Sequence, residues 1–432
     1  MSTALAGLRI FSGSPFVQRQ GWLKPAERVA ATASQQGFAA ASAIARGLAS
    51  RGRGESPERL ANRPRAELFD LNVSEEELMV RETAQRFARD VLRPAAHEAD
   101  TKCAPPAEFG GALADLALGP MAIPESFGGA ASESTSVTSA LIAEDLAWGD
   151  AGQALAALAP IAVASALVRW GSSAQQAAYL PAFAEETPPR ASFAVSEPRA
   201  LFDPAELRTR AAARGNRYVL HGEKSLVVGA EAADYFLVTA ELLGHGPQLF
   251  IVARSEAGVS ASREPALGAR AAGFGRVRFD GVELDASALV GEAAGAVDYE
   301  ELIARNRVAV SSLMVGVGQA VLDYVTPYVN DRVAFGEPIS NRQSVAFMVA
   351  NLAIEIDAMR MVTWRAAARL ERGMNAKREA YLAHLLATEK GLELASSGVQ
   401  LLGGHGYTKE HPVERFYRDL MALSTVYGGA LV

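Results

Sequence analysis

The chain has 432 residues, 49% hydrophobic and 21% charged, enough apolar material for two or three packed domains, and this excludes a disordered chain. Lys plus Arg total 42 against 49 Asp plus Glu, so the net charge of −7 argues against nucleic acid as the main partner. Cys103 stands alone, which excludes an internal disulfide and a cysteine zinc cluster, and the six histidines form no His-x-x-x-His pair, so no metal site is expected.

Residues 1–53 carry seven basic residues against the single acid Glu27, with frequent Ser and Ala. An extra surface helix on a bacterial cytoplasmic protein and a mitochondrial-matrix transit segment both fit, and the first is preferred. No basic start followed by an apolar core suggests a signal peptide. Residues 54–66 are polar and turn-rich, so residues 1–66 are read as an extension and linker.

Residues 67–190 read as a helical domain. Ser74 with Glu77 forms a capping box, and Leu78, Val80, Ala84, Phe87 and Val91 follow at roughly helical spacing. Gly119-Pro120 and Phe127-Gly128 punctuate it. The apolar run from Ala151 to Val168 is Ala-rich and interrupted by Gln153 and Pro160, so it is expected to be a buried helix rather than a membrane span.

The period changes over residues 191–295. Tyr218–Leu220, Tyr235–Val238, Leu249–Val252 and Val277–Phe279 are β-rich runs separated by glycine turns, which predicts an antiparallel β domain. Residues 296–432 return to long helices with few breakers, expected to form a bundle. Helices, then strands, then helices do not alternate, so a doubly wound sheet is not expected.

Four segments in this order resemble the acyl-CoA dehydrogenase family. They are Ser192-Phe193-Ala194-Val195-Ser196-Glu197-Pro198, the Leu289–Gly295 opening of the bundle, Arg332 with Phe335-Gly336 and Gln343, and Gln400-Leu401-Leu402-Gly403-Gly404-His405-Gly406-Tyr407 followed by Pro412, Glu414, Arg418 and Asp419. The resemblance covers about residues 70–432. It implies an α+β, mostly α fold, with an N-terminal helical domain, a central antiparallel β-barrel and a C-terminal four-helix bundle that builds dimers and tetramers. It also implies FAD bound at a subunit interface, an acyl-CoA thioester as substrate, and an electron-transfer flavoprotein or similar electron acceptor. The implied reaction removes the α hydrogen as a proton and the β hydrogen as a hydride, and it needs a positioned base and donors to the thioester carbonyl.

The chain departs from that pattern where the base should be. The family's two positions for a glutamate fall here on Tyr427 and on Asn306, which precedes Arg307, a substrate-contact position by the resemblance. Glu301 is expected on another side of its helix as a solvated acid. Where the family has Trp-x-Thr beside the flavin, this chain has Leu226 and Val228. Val195 and Ser196 keep the first signature. Arg332, Phe335, Gln343, Gln400, Gly403 and Gly404 match the elements that reach a neighbouring subunit's FAD. Taken alone, Arg332 is also compatible with a surface ion pair, and Gln400 with the two glycines is compatible with a plain interhelical turn. Three functions are weighed: a degenerate subunit completing a partner's FAD site, an active oxidoreductase with an unusual base, and a scaffold or CoA-binding protein without FAD.

Overall fold

The computed structural model describes residues 73–131, 136–428 and 430–432. The extension of residues 1–66 and the first residues of the expected helical domain lie outside the described residues.

The first helix, α1 (Glu75–Phe87), starts at the capping box read from the sequence: Ser74 Oγ accepts from the Glu77 amide, and Glu77 accepts from the Ser74 amide. A π-helical turn joins it to α2 (Arg93–Lys102). Two short helices follow, α3 (Phe109–Asp115) and α4 (Leu118–Ala122), so Gly119-Pro120 lies inside a short helix rather than in a break. Next come α5 (Ser136–Gly149), α6 (Ala151–Trp170) and α7 (Ser173–Phe183). The apolar α6 is mostly buried within the protein, as expected for a core helix.

The middle region has seven strands: β1 (Ala191–Ala194), β2 (Arg210–Arg214), β3 (Arg217–Val227), β4 (Tyr235–Leu242), β5 (Gly246–Ala253), β6 (Val259–Arg263) and β7 (Gly275–Asp285). Their order is β1-β4-β2-β3-β7-β6, with β5 also on β4. Most pairings are antiparallel, but β1 and β2 both join β4 in parallel, which the expectation of a purely antiparallel domain did not include. The cause is long-range: β5 takes one edge of β4 as a hairpin, and β1 and β2 share the other edge, each joined to β4 through intervening chain rather than a hairpin that would force an antiparallel pairing.

The C-terminal region consists of α8 (Tyr299–Asp331), a small hairpin of β8 (Val333–Ala334) and β9 (Glu337–Pro338), then α9 (Gln343–Glu371), α10 (Lys377–Leu402) and α11 (Val413–Leu423). The central member is α8, which packs against α5, α9, α10 and α11. Its stretch from Leu302 to Val321 is almost wholly buried, which explains its apolar length, since a helix segment enclosed by neighbours needs no polar face.

One buried ion pair locks the β domain to its first strand. Lys224 on β3 is fully buried, and its ammonium donates to Glu197 Oε1 (3.0 Å), the Val195 carbonyl (3.0 Å) and Thr239 Oγ1 (3.1 Å). Glu197 also accepts the amides of Arg208 and Thr209. Burial pushes the Lys224 ammonium down to about 8. Burial acts upward on Glu197, but the Lys224 charge and the two amides outweigh it and hold the carboxyl below its ordinary range. Removing one partner of such a pair leaves an uncompensated buried charge, which costs roughly 3–5 kcal/mol. Lys224→Met is therefore expected to lower the unfolding free energy by about that amount in denaturant titrations, and a loss under 1 kcal/mol would contradict the pair's importance.

Candidate active site

The chain past β1 continues as Val195-Ser196-Glu197, with Val195 and Ser196 both buried. Ser196 Oγ lies 3.3 Å from both the Tyr427 amide and the Tyr427 carbonyl oxygen, accepting from the first and donating to the second, as a hydroxyl can. Gly428 follows with φ +78°, and a Cβ there would meet Phe193 Cβ and Val195 Cγ2 at 2.9 Å. Only glycine suits this turn, which sets the C-terminal segment flush on β1.

The start of α8 supplies the opposite wall. Asp298 caps the helix by accepting the Glu301 amide. Glu301 is not the solvated acid expected: it pairs with Arg169 (2.6 Å) and Arg305 (2.7 Å) and is largely enclosed. Arg169 comes from α6, so only tertiary packing creates that pair. Arg305 also donates to Ser136 Oγ and the Val432 carbonyl. The Asn306 amide donates to the Ala430 carbonyl at 3.0 Å, while its buried Oδ1 has no partner. The Arg307 guanidinium stands over the Tyr381 ring at 5.3 Å, with its buried Nε also unpartnered.

Tyr427, at one base position, is half-buried between two rings, Phe202 at 5.9 Å and His384 at 5.8 Å. His384 comes from α10, and its Nδ1 is buried without a hydrogen-bond partner. Burial first, and then the Arg307 charge, push this imidazole down to about 4, so it is neutral at ordinary pH. Sequence reading missed it because a single histidine in an Ala/Leu-rich helix carries no local signal. The structure thus brings together Ser196, Asn306, Arg307, His384 and Tyr427 from four parts of the chain.

Beside this cluster lies a cavity of about 360 Å³ between α1, α5 and α6, lined by Thr138, Ile142, Leu158, Ile161 and Ala309 and closed by Ala430, Leu431 and Val432. A larger cavity of about 790 Å³ opens among α3, α6 and β1 but includes neither base position.

The remaining predicted residues gather at the far end of the bundle. Arg332 caps the C-terminus of α8, is exposed, and makes no ion pair among the described residues. Its amide donates to the Tyr328 carbonyl, and Tyr328 Oη bonds His405 Nδ1 at 2.9 Å, tying this end of α8 to the Gly403–Tyr407 turn. Gly403 has φ +56° and ψ −130°, which only glycine adopts readily, and a Cβ on Gly403 or Gly404 would meet nothing within 4 Å. Gln343 and Gln400 are exposed. Phe335 is 94% exposed and has φ +59° in the two-residue turn between β8 and β9, with the Arg342 guanidinium 5.1 Å from its ring. A turn with positive φ at both central residues matches the twist of a tight hairpin, but a bulky aromatic bears strain there.

The implied FAD can be weighed against both sets. The exposed set offers an unpaired guanidinium, two amide side chains and an open glycine turn, which suit a pyrophosphate and its neighbouring groups. The set on the chain's own β domain fits a flavin ring poorly. The Ser196 hydroxyl is bonded to Tyr427, Val228 is buried, and Leu226 (φ +52°) uses its amide on Glu264.

Comparison with known proteins matches this architecture to three family models: acyl-CoA dehydrogenase N-terminal domain over residues 74–187, middle domain over 192–282 and C-terminal domain over 294–430. The chain belongs to the acyl-CoA dehydrogenase family, whose members are oxidoreductases. It is 31% identical over 363 residues to the short/branched chain specific acyl-CoA dehydrogenase of Rattus norvegicus, covering 82% of this chain and 83% of that one. It is likewise 31% identical to the cyclohex-1-ene-1-carbonyl-CoA dehydrogenase of Geobacter metallireducens, covering 83% and 95%. Among solved structures, butyryl-CoA dehydrogenase from Megasphaera elsdenii superposes with a TM-score of 0.76 at 26% identity, covering 84% of this chain and 96% of that one.

The lowered imidazole has a consequence for stability. Unfolding returns His384 from about 4 toward its ordinary 6.5. As pH falls from 6.5 to 4 the unfolded chain takes up a proton that the folded ring refuses. Stability present above that window is lost within it, at up to about 1.4 kcal/mol per pH unit. Denaturant unfolding of His384→Gln is expected to show a correspondingly shallower loss between those pH values than the parent protein, and equal slopes would contradict the assignment.

Proposed function

We propose that this chain is an acyl-CoA dehydrogenase-family subunit that completes the FAD site of a neighbouring, glutamate-bearing family member. The observation that carries the proposal is the contrast between its two half-sites. Arg332, Phe335, Gln343, Gln400, Gly403 and Gly404 are exposed at one end of the bundle, and Arg332 has no ion pair among the described residues. On the β domain, Ser196 is occupied by Tyr427, and neither base position is a carboxylate.

In a mixed dimer, bound FAD supplies the hydride acceptor. This chain's contribution would be to hold it: Arg332 would pair with its pyrophosphate, and the Gly403-Gly404 backbone would let the cofactor approach closely. The partner contributes ring contacts and a carboxylate base. The substrate class is an acyl-CoA thioester. With Leu226 and Val228 in place of the ring contacts, the lone chain is expected to carry little FAD, and without a glutamate at either base position it is expected not to reduce an electron acceptor with straight-chain acyl-CoAs.

An arginine–phosphate pair contributes roughly 1.5–3 kcal/mol, or about ten- to hundredfold in affinity. Arg332→Ala in this chain should therefore weaken FAD binding by the co-expressed complex by that factor, although the substitution lies outside the competent subunit. Flavin titration of the two purified complexes checks it. Failure of any family member to co-purify, or unchanged FAD affinity in the variant, would overturn the pairing.

A further inference from the structure

We infer that His384 is a proton acceptor for the α hydrogen of an acyl-CoA thioester in this chain's own centre, standing in for the missing glutamate. The inference goes beyond the completion of a partner's cofactor site and does not depend on it.

Three polar atoms without hydrogen-bond partners carry it. Asn306 Oδ1, Arg307 Nε and His384 Nδ1 are all buried, and Asn306 as a whole is only 4% exposed. Leaving such atoms unmatched costs roughly 1–3 kcal/mol each, so their occurrence in adjoining residues points to a polar ligand group that satisfies them. They flank the two positions where the family has its glutamate. Asn306 occupies one position, Tyr427 the other, and the His384 ring packs on the Tyr427 ring at 5.8 Å. The adjoining cavity of about 360 Å³, with Ala309 of α8 and Ala430 in its wall, offers room for an acyl chain.

The chemistry balances without any further reactant. The neutral imidazole takes the α proton, so the C–H bond breaks and an N–H bond forms. The electron pair moves to the thioester oxygen as an enolate, toward which the Arg307 charge is favourable. Return of a proton from the imidazolium regenerates the thioester. The groups facing His384 are Arg307 from α8 and Tyr427 from the C-terminal segment, with Tyr381 one turn away on α10. An imidazole held near 4 is about as basic as an ordinary carboxylate, so it replaces one without a gain or loss of driving force.

The test needs no flavin reduction. The purified chain is incubated in heavy water with butyryl-, isobutyryl-, octanoyl- and palmitoyl-CoA, and loss of the α hydrogens is followed by NMR and mass spectrometry. The expected result is exchange faster than in protein-free controls with at least one of these thioesters. That rate should be flat from about pH 6 to 9 because the acceptor is already neutral throughout. His384→Gln should lower it at least about tenfold. The flat profile is read on the parent protein, so it stands even if a variant misfolds. No exchange with any thioester, a rate that climbs steadily toward pH 9, or full exchange in a folded His384→Gln would overturn the inference. The pairing with another subunit is judged separately, by co-purification and flavin affinity.

Discussion

The contact on which the site depends is the buried bond between Lys224 and Glu197. A fully enclosed ammonium is tolerated only where every donor finds an acceptor, and here Glu197, Val195 and Thr239 provide them. Two of these acceptors lie in the segment that leaves β1, so the pair fixes the direction of Val195-Ser196-Glu197. That direction presents Ser196 to Tyr427 and the Val195 side chain to Gly428. The glutamate of the first signature is thus a structural anchor rather than a chemical group, and the placement of the C-terminal segment follows from it.

Two regions of different character result. Around Asn306, Arg307, His384 and Tyr427 the polar groups are enclosed, and several lack partners. At the opposite end of α8 they are exposed on a rigid platform made by Tyr328, His405 and the Gly403-Gly404 turn. Under the proposed function, the enclosed groups would act within the chain itself and the exposed ones on what a neighbouring subunit brings.

Much of this was legible in the sequence. The capping box at Ser74, the core helix from Ala151, the change to strands after residue 190 and the long helix from Tyr299 all rest on local periodicity or local hydrogen bonding, and they appear where those rules put them. The signature residues Arg332, Gly403 and Gly404, read from their spacing, fall together and exposed at one end of the bundle. What escaped was decided by contacts distant in the chain. The parallel docking of β1 on β4 has no hairpin to announce it, and the short strands β2 and β6 are too poor in β-formers to read. The enclosure of Glu301 comes partly from Arg169, which lies on another helix. His384 gains its character from Arg307 and from burial between helices, neither of which a linear pattern contains.

The central proposal is that this chain keeps the contacts that serve a neighbour's FAD and lacks those that hold a flavin of its own. Native mass spectrometry of the co-expressed, purified complex reads this directly as cofactor per pair of chains. One FAD per mixed dimer is the predicted result. Two FAD molecules per mixed dimer, or a homodimer of this chain alone that is replete with FAD, would contradict it.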